Sequence, residues 1–153
     1  MLKWTPSQKF LFIHHNIPRE LEEQYLEEFS KETRALMILS YDTLNSRIET
    51  ILKHLKSLDL LVLDEAHKVK NRDTKTVNTI ERIKCKCSFG LTGTPVQNNL
   101  TELWCIMNIL FQGKVLGEKD HFRSRYSEPI AAGCKREATQ QVQQLASLRA
   151  SEL

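Results

Sequence analysis

Short apolar runs alternate along the chain with longer stretches in which apolar positions recur every three or four residues. The first pattern is that of buried strands and the second that of helices with one apolar face, so the chain predicts an α/β sheet with crossover helices. Residues 9–14 (KFLFIH) predict a short strand. Residues 18–31 predict a helix, with Pro18 in its first turn and acidic residues crowding its start. Residues 35–40 (ALMILS) predict a buried strand. The helix predicted over 43–58 places Leu44, Ile48, Ile51, Leu52 and Leu55 on one face.

A continuous apolar run follows at 58–63, which suits a parallel strand covered on both faces. Residues 74–83 predict a helix with Val77, Ile80 and Ile83 as its buried stripe, 87–91 another strand, and 100–110 an apolar helix. Beyond Gly113 the pattern thins into loops and helical stretches, with a polar helix expected over 138–153. Internal repeats and low-complexity linkers are absent from the sequence. The chain stops within that last helical pattern, as expected of a piece of something longer.

Two segments carry candidate chemistry. LLVLDEAH, residues 60–67, ends a predicted strand in adjacent carboxylates, Asp64 and Glu65. The carboxyl edge of a parallel sheet is where open α/β folds bind ligands. In phosphoryl transfer to water, one carboxylate can hold the Mg²⁺ that bridges the phosphates while a second orients or deprotonates the water. Asp64 suits the first role and Glu65 the second. An acidic pair can also merely close a strand, so the motif does not decide the function by itself. A second strand then ends in LTGTPVQNNL, residues 91–100. There Thr92 and Thr94 supply hydroxyls, Gly93 permits a tight turn, and Gln97, Asn98 and Asn99 add neutral donors and acceptors. Each motif follows its own strand, and their joint occurrence is hard to assign to chance.

LDEAHKVKN followed by LTGTPVQNNLTELW resembles the SWI/SNF group of superfamily-two helicase-like ATPases. Residues 38–44 (ILSYDTL) resemble the family's DNA-contacting segment, and Lys70 and Asn71 after the DEAH box are typical of this group. Residues 113–130 are similar to the segment after the QNN motif in recombination-repair and Cockayne-syndrome-type remodellers, although the former often carry DEGH in place of DEAH. The resemblance implies a partial RecA-like lobe, ATP and Mg²⁺ as cofactors, and non-sequence-specific contact with DNA backbone. It assigns Asp64, which also holds the magnesium, and Glu65 to catalysis, with His67 linking the nucleotide site to the rest of the motor. Thr92, Gly93, Thr94 and Gln97 would couple hydrolysis to movement, and Ser40, Tyr41 and Thr43 would lie along the DNA backbone. Nucleosomes or repair proteins are the further partners it implies, in the nucleus.

The resemblance divides the chain into a lobe segment at 1–130 and a helical extension at 131–153. The family's glycine-rich phosphate loop, of the type GxGKT, has no counterpart: the five glycines are 90, 93, 113, 117 and 133, and none precedes a Lys-Ser or Lys-Thr pair. The second motor lobe is also missing from the match. The chain is therefore expected to be the second half of the first lobe, either as an enzyme fragment or as a non-catalytic module that binds DNA or a partner.

Composition changes this picture little. A net charge of +3 and a pI near 8.7 are compatible with nucleic-acid contact without requiring it. Cys85, Cys87, Cys105 and Cys134 have no CxxC spacing, which argues for reduced thiols over a zinc ribbon or disulfide framework. Neither a signal peptide nor a membrane-spanning run is apparent, and a soluble intracellular chain is expected. His14 and His15 are expected to serve packing or solvent contact, not a metal. Residues 20–28 (ELEEQYLEE) predict a solvated acidic face, and Trp4 and Trp104 are expected to pack rather than stack on bases.

Overall fold

Four strands and seven α-helices follow one another in the computed structural model, which describes residues 8–93 and 100–153. Strand β1 (Lys9–Ile13) leads into helix α1 (Arg19–Lys31), which starts directly after Pro18. Strand β2 (Ala35–Leu39) pairs with β1 in parallel, from Lys9 opposite Ala35 to Ile13 opposite Leu39. Helix α2 (Tyr41–His54) begins earlier than its apolar stripe suggests, because Ser40 caps it: the Ser40 side chain accepts from the Thr43 amide at 3.1 Å. The segment after Leu55, expected to be helical, instead runs extended into strand β3 (Leu58–Asp64).

After β3 come a 3₁₀ turn (Ala66–Val69), helix α3 (Lys75–Glu81) and strand β4 (Cys85–Leu91). Strand β4 pairs in parallel with β3, with Leu60 opposite Cys87 and Asp64 opposite Leu91. Helix α4 (Leu100–Leu110) then packs under β4, so closely that a Cβ on Gly90 would lie 2.9 Å from the Leu110 side chain. The remainder is helical: α5 (Lys119–Phe122), a π-helical turn (Arg123–Ser127), α6 (Glu128–Gly133) and α7 (Gln140–Glu152).

One core unites these layers. Leu26, Ile48, Ile51, Leu63, Val77, Ile80, Trp104, Ile106, Ile109 and Phe122 are all buried in it. A fully buried aliphatic side chain stabilises by about 1.5–3 kcal/mol, so the stripes of α2 and α3 dock because they hide Leu44, Ile48, Ile51, Val77 and Ile80 together. The α/β class and the parallel pairing agree with the sequence reading.

Two further details do not agree. The four strands form two separate parallel pairs, and β3 is covered on one face only: Leu60 and Val62 are about half exposed (50% and 47%). Phe89 and Leu91 of β4 share that open face, since registered residues of a parallel pair point the same way. The acidic helix is likewise not wholly solvated. Glu22 is buried against α2, where its Oε2 lies 3.2 Å from Arg47 Nε, while Leu21 and Tyr25 face outward. Charge content alone hid this, because the helix turns Glu22 and Leu26 to the core on the same four-residue step.

Candidate functional site

Strands β3 and β4 run parallel, so their carboxyl ends fall at the same edge and bring Asp64 beside Leu91. That edge assembles the candidate residues. Asp64 is the last residue of β3, and its exposed carboxylate accepts from the Glu65 amide at 2.9 Å. Glu65 itself sits in the left-handed region (φ 50, ψ 51), a conformation rare for a residue with a Cβ. Held strain of this kind gathers at functional sites.

The turn aims the Glu65 carboxylate at His67, whose Nδ1 lies 3.1 Å from Oε2. The same nitrogen is 3.2 Å from the Thr92 hydroxyl, on the residue that follows β4. A carboxylate only accepts, so a hydrogen bond from His67 to Glu65 has Nδ1–H as its donor. His67 thus bridges the two motifs through one ring nitrogen. Ala66 and Val69, fully buried, clamp the 3₁₀ turn against the core, and Lys70 reaches the α4 residue Glu102 at 3.5 Å. Glu102 was not singled out in the sequence; the lone carboxylate within the mostly apolar helix LTELWCIMNIL is the signal that marks it.

The other expected residues are placed as follows. Gly93 is exposed, with no positive φ and, among the described residues, nothing within 4 Å of where a Cβ would go. Thr94 and Gln97 lie outside the described residues, as do Trp4, Asn98 and Asn99. Ser40 is exposed at the start of α2, and its hydroxyl also meets that of Thr43 at 2.9 Å. Thr43 is buried, so its hydroxyl serves the cap.

Tyr41 turns inward. Its phenol donates to the Asp64 carbonyl at 2.8 Å, and burial, reinforced by the charges of Asp64 and Glu65, pushes it up to about 12. That link between α2 and the acidic turn was missed by sequence reasoning, and its spacing of twenty-three residues leaves no local signal.

Among the described residues, no group of three or more His, Cys, Asp or Glu side chains could hold a metal alone. Mg²⁺ is commonly held by one or two carboxylates together with substrate phosphates, so an exposed Asp64 fits that ion's donor chemistry. His14 and His15 are exposed after β1 with their rings edge to face. Trp104 is buried, donating to the Gly117 carbonyl at 3.1 Å beneath the Arg72 guanidinium, which agrees with a packing role. A cavity of about 320 Å³ is lined by Leu61, Arg72, Cys85, Trp104 and Gln112 and includes none of the carboxylate-edge residues. None of the described helices is long and apolar enough to cross a membrane.

The described edge is thus a parallel α/β scaffold with an acidic pair at one strand end, bridged by histidine to a Thr-Gly segment at the next. The model of the SNF2-related domain matches residues 1–152, and the chain belongs to that family. It is 34% identical over 143 residues to the DNA excision repair protein ERCC-6-like of Danio rerio, covering 90% of this chain and 10% of that protein. It is also 34% identical over 152 residues to the DNA repair and recombination protein RAD54B of Homo sapiens, covering 99% of this chain and 16% of that one. Among solved structures it is similar to the Sulfolobus solfataricus SWI2/SNF2 ATPase core in complex with dsDNA. The TM-score there is 0.64 at 27% identity, over 96% of this chain and 28% of the other. The chain therefore spans about a tenth to a sixth of these relatives' length.

Proposed function

We propose that this chain forms part of the first ATP-binding lobe of a DNA-dependent ATPase that couples hydrolysis to movement along duplex DNA. The observation that carries this reading is the edge at which Asp64, Glu65, His67 and Thr92 converge. Asp64 would hold Mg²⁺, and the ion when bound neutralises charge on the phosphates of ATP. Glu65 orients the attacking water and accepts its proton, from a backbone fixed by the left-handed turn. His67 keeps that carboxylate oriented and passes its position to Thr92. Thr92, with Gly93, Thr94 and Gln97, couples the site to movement.

Ser40 and the start of α2 face the phosphodiester backbone, with Thr43 acting through the cap it shares with Ser40. The solved neighbour is an ATPase core bound to double-stranded DNA, and the relatives are named for DNA repair and recombination; both support this reading. Work on nuclear DNA, with nucleosomes or repair proteins as partners, belongs to the same proposal.

A second reading has its own observation: these 153 residues contain no Gly-Lys-Ser or Gly-Lys-Thr run. On that reading the chain is a non-catalytic module that binds DNA or a partner motor. The first reading and the DNA-binding form of the second both place duplex DNA on the chain and are tested by anisotropy of labelled duplexes across a salt series. Binding should be weak, indifferent to base sequence and steeply reduced by salt. Tight, salt-resistant binding to one sequence would contradict both.

A further inference from the structure

We propose that Tyr41 is a positioning residue, whose phenol locks the Asp64–Glu65 peptide and so ties the start of α2 to the carboxylate pair. The peptide joining Asp64 and Glu65 is held at both ends. Its carbonyl accepts from the Tyr41 hydroxyl at 2.8 Å, and its N–H donates to Asp64 Oδ1 at 2.9 Å. Rotation of that plane changes ψ of Asp64 and φ of Glu65 together. Glu65 stands at φ 50, which an L-residue leaves when nothing restrains it.

The Asp64 side chain is exposed and can release the N–H, whereas the Tyr41 ring is half-buried and packed against the core. The phenol is therefore the firmer of the two restraints. The direction of the Glu65 carboxylate toward His67 depends on it. Tyr41 is also the first residue of α2, next to Ser40, so a contact that shifts the helix start is transmitted to the acidic turn through one hydrogen bond. This last step rests on the DNA-contact reading given above; the peptide lock does not.

The test compares the chain with its Tyr41→Phe variant, which keeps the ring and loses only the hydroxyl. Backbone chemical shifts should place Glu65 in the left-handed region in the parent and not in the variant, with Ile48 and Leu63 unchanged. On titration with duplex DNA, residues 40–43 and 64–67 should respond together in the parent, and only 40–43 in the variant. Unchanged Glu65 shifts in the variant would overturn the lock. A parent whose residues 40–43 ignore DNA would overturn the transmission and the DNA-contact reading, leaving the lock to the first comparison.

Urea unfolding covers a variant too unstable for spectroscopy. Tyr41→Phe should lower the folding equilibrium constant about tenfold in the parent, the scale of one hydrogen bond. In a Glu65→Gly background, where the left-handed turn needs no restraint, the loss should be much smaller. Equal losses in both backgrounds would mean that the hydroxyl contributes to stability without holding the turn, and would overturn the proposal.

Discussion

At the scale of single residues, the molecule spends its charge unevenly. Most ion pairs are exposed, such as Arg82 with Glu49, or Lys86 with Asp59, and such pairs contribute little to stability. Glu22 and Arg47 differ, because Glu22 is 1% exposed and cannot turn to solvent. Removing one partner of a buried pair strands the other's charge. Arg47→Leu should therefore destabilise the chain by about 3–5 kcal/mol in urea unfolding, with much of the loss recovered when Glu22→Leu is added. A cost for the single change within about 1 kcal/mol, the range of an exposed pair, would show that Glu22 reaches water.

Cys105 offers a second check. Burial, reinforced by the charge of Glu81, pushes its thiol up to about 11, and its Sγ donates to the Val69 carbonyl at 3.3 Å. The unfolded chain ionises this group first, near its ordinary value of 9.0. Stability is thus fully present below that value and falls as pH rises toward the folded one. At neutral pH a thiol reagent should label exposed Cys87 and Cys134 while sparing Cys105 until the chain unfolds. Rapid labelling of Cys105 in the folded chain would refute its burial.

At the scale of elements, the open side of the strand pairs has a physical consequence. Phe12, Leu36, Leu60, Val62, Phe89 and Leu91 are each 43–56% exposed. Parallel strands are ordinarily buried on both faces, and an uncovered apolar face lowers solubility. The isolated chain should bind a hydrophobic dye and self-associate as concentration rises. Val62→Thr with Phe89→Thr should weaken both effects and leave the melting temperature nearly unchanged. A monodisperse parent that binds no dye would mean the face is covered.

Element identity was legible in the sequence wherever periodicity was strong. The stripes of α2 and α3, the parallel strands and the apolar helix α4 all followed from spacing. Boundaries were less legible, because Ser40 capping set the start of α2 and the run into β3 set its end. The uncovered face could not be read from LLVL, since a run of apolar residues does not reveal whether anything lies on either side of it. At the site, Asp64 and Glu65 were marked by their place after a strand. The left-handed turn, the His67 bridge and the Tyr41 bond are long-range or conformational facts with no local pattern.

At the scale of the whole molecule, the family is established and the geometry brings Thr92, which opens the second motif's described part after β4, to the sheet edge that carries Asp64 and Glu65. The chain spans a small part of its relatives, so turnover is a property to be measured where these residues are joined to a phosphate-binding loop and a second lobe. The decisive measurement is DNA-stimulated phosphate release by such a polypeptide with Glu65 intact and with Glu65→Gln. The amide preserves the side chain's shape and removes its charge and its ability to take a proton. Release should fall by about 10²–10⁴-fold while nucleotide binding is largely retained, and the 153-residue chain alone should release none above background. Normal turnover by the Glu65→Gln variant would contradict the account, because the acidic turn would then not be where the water is activated.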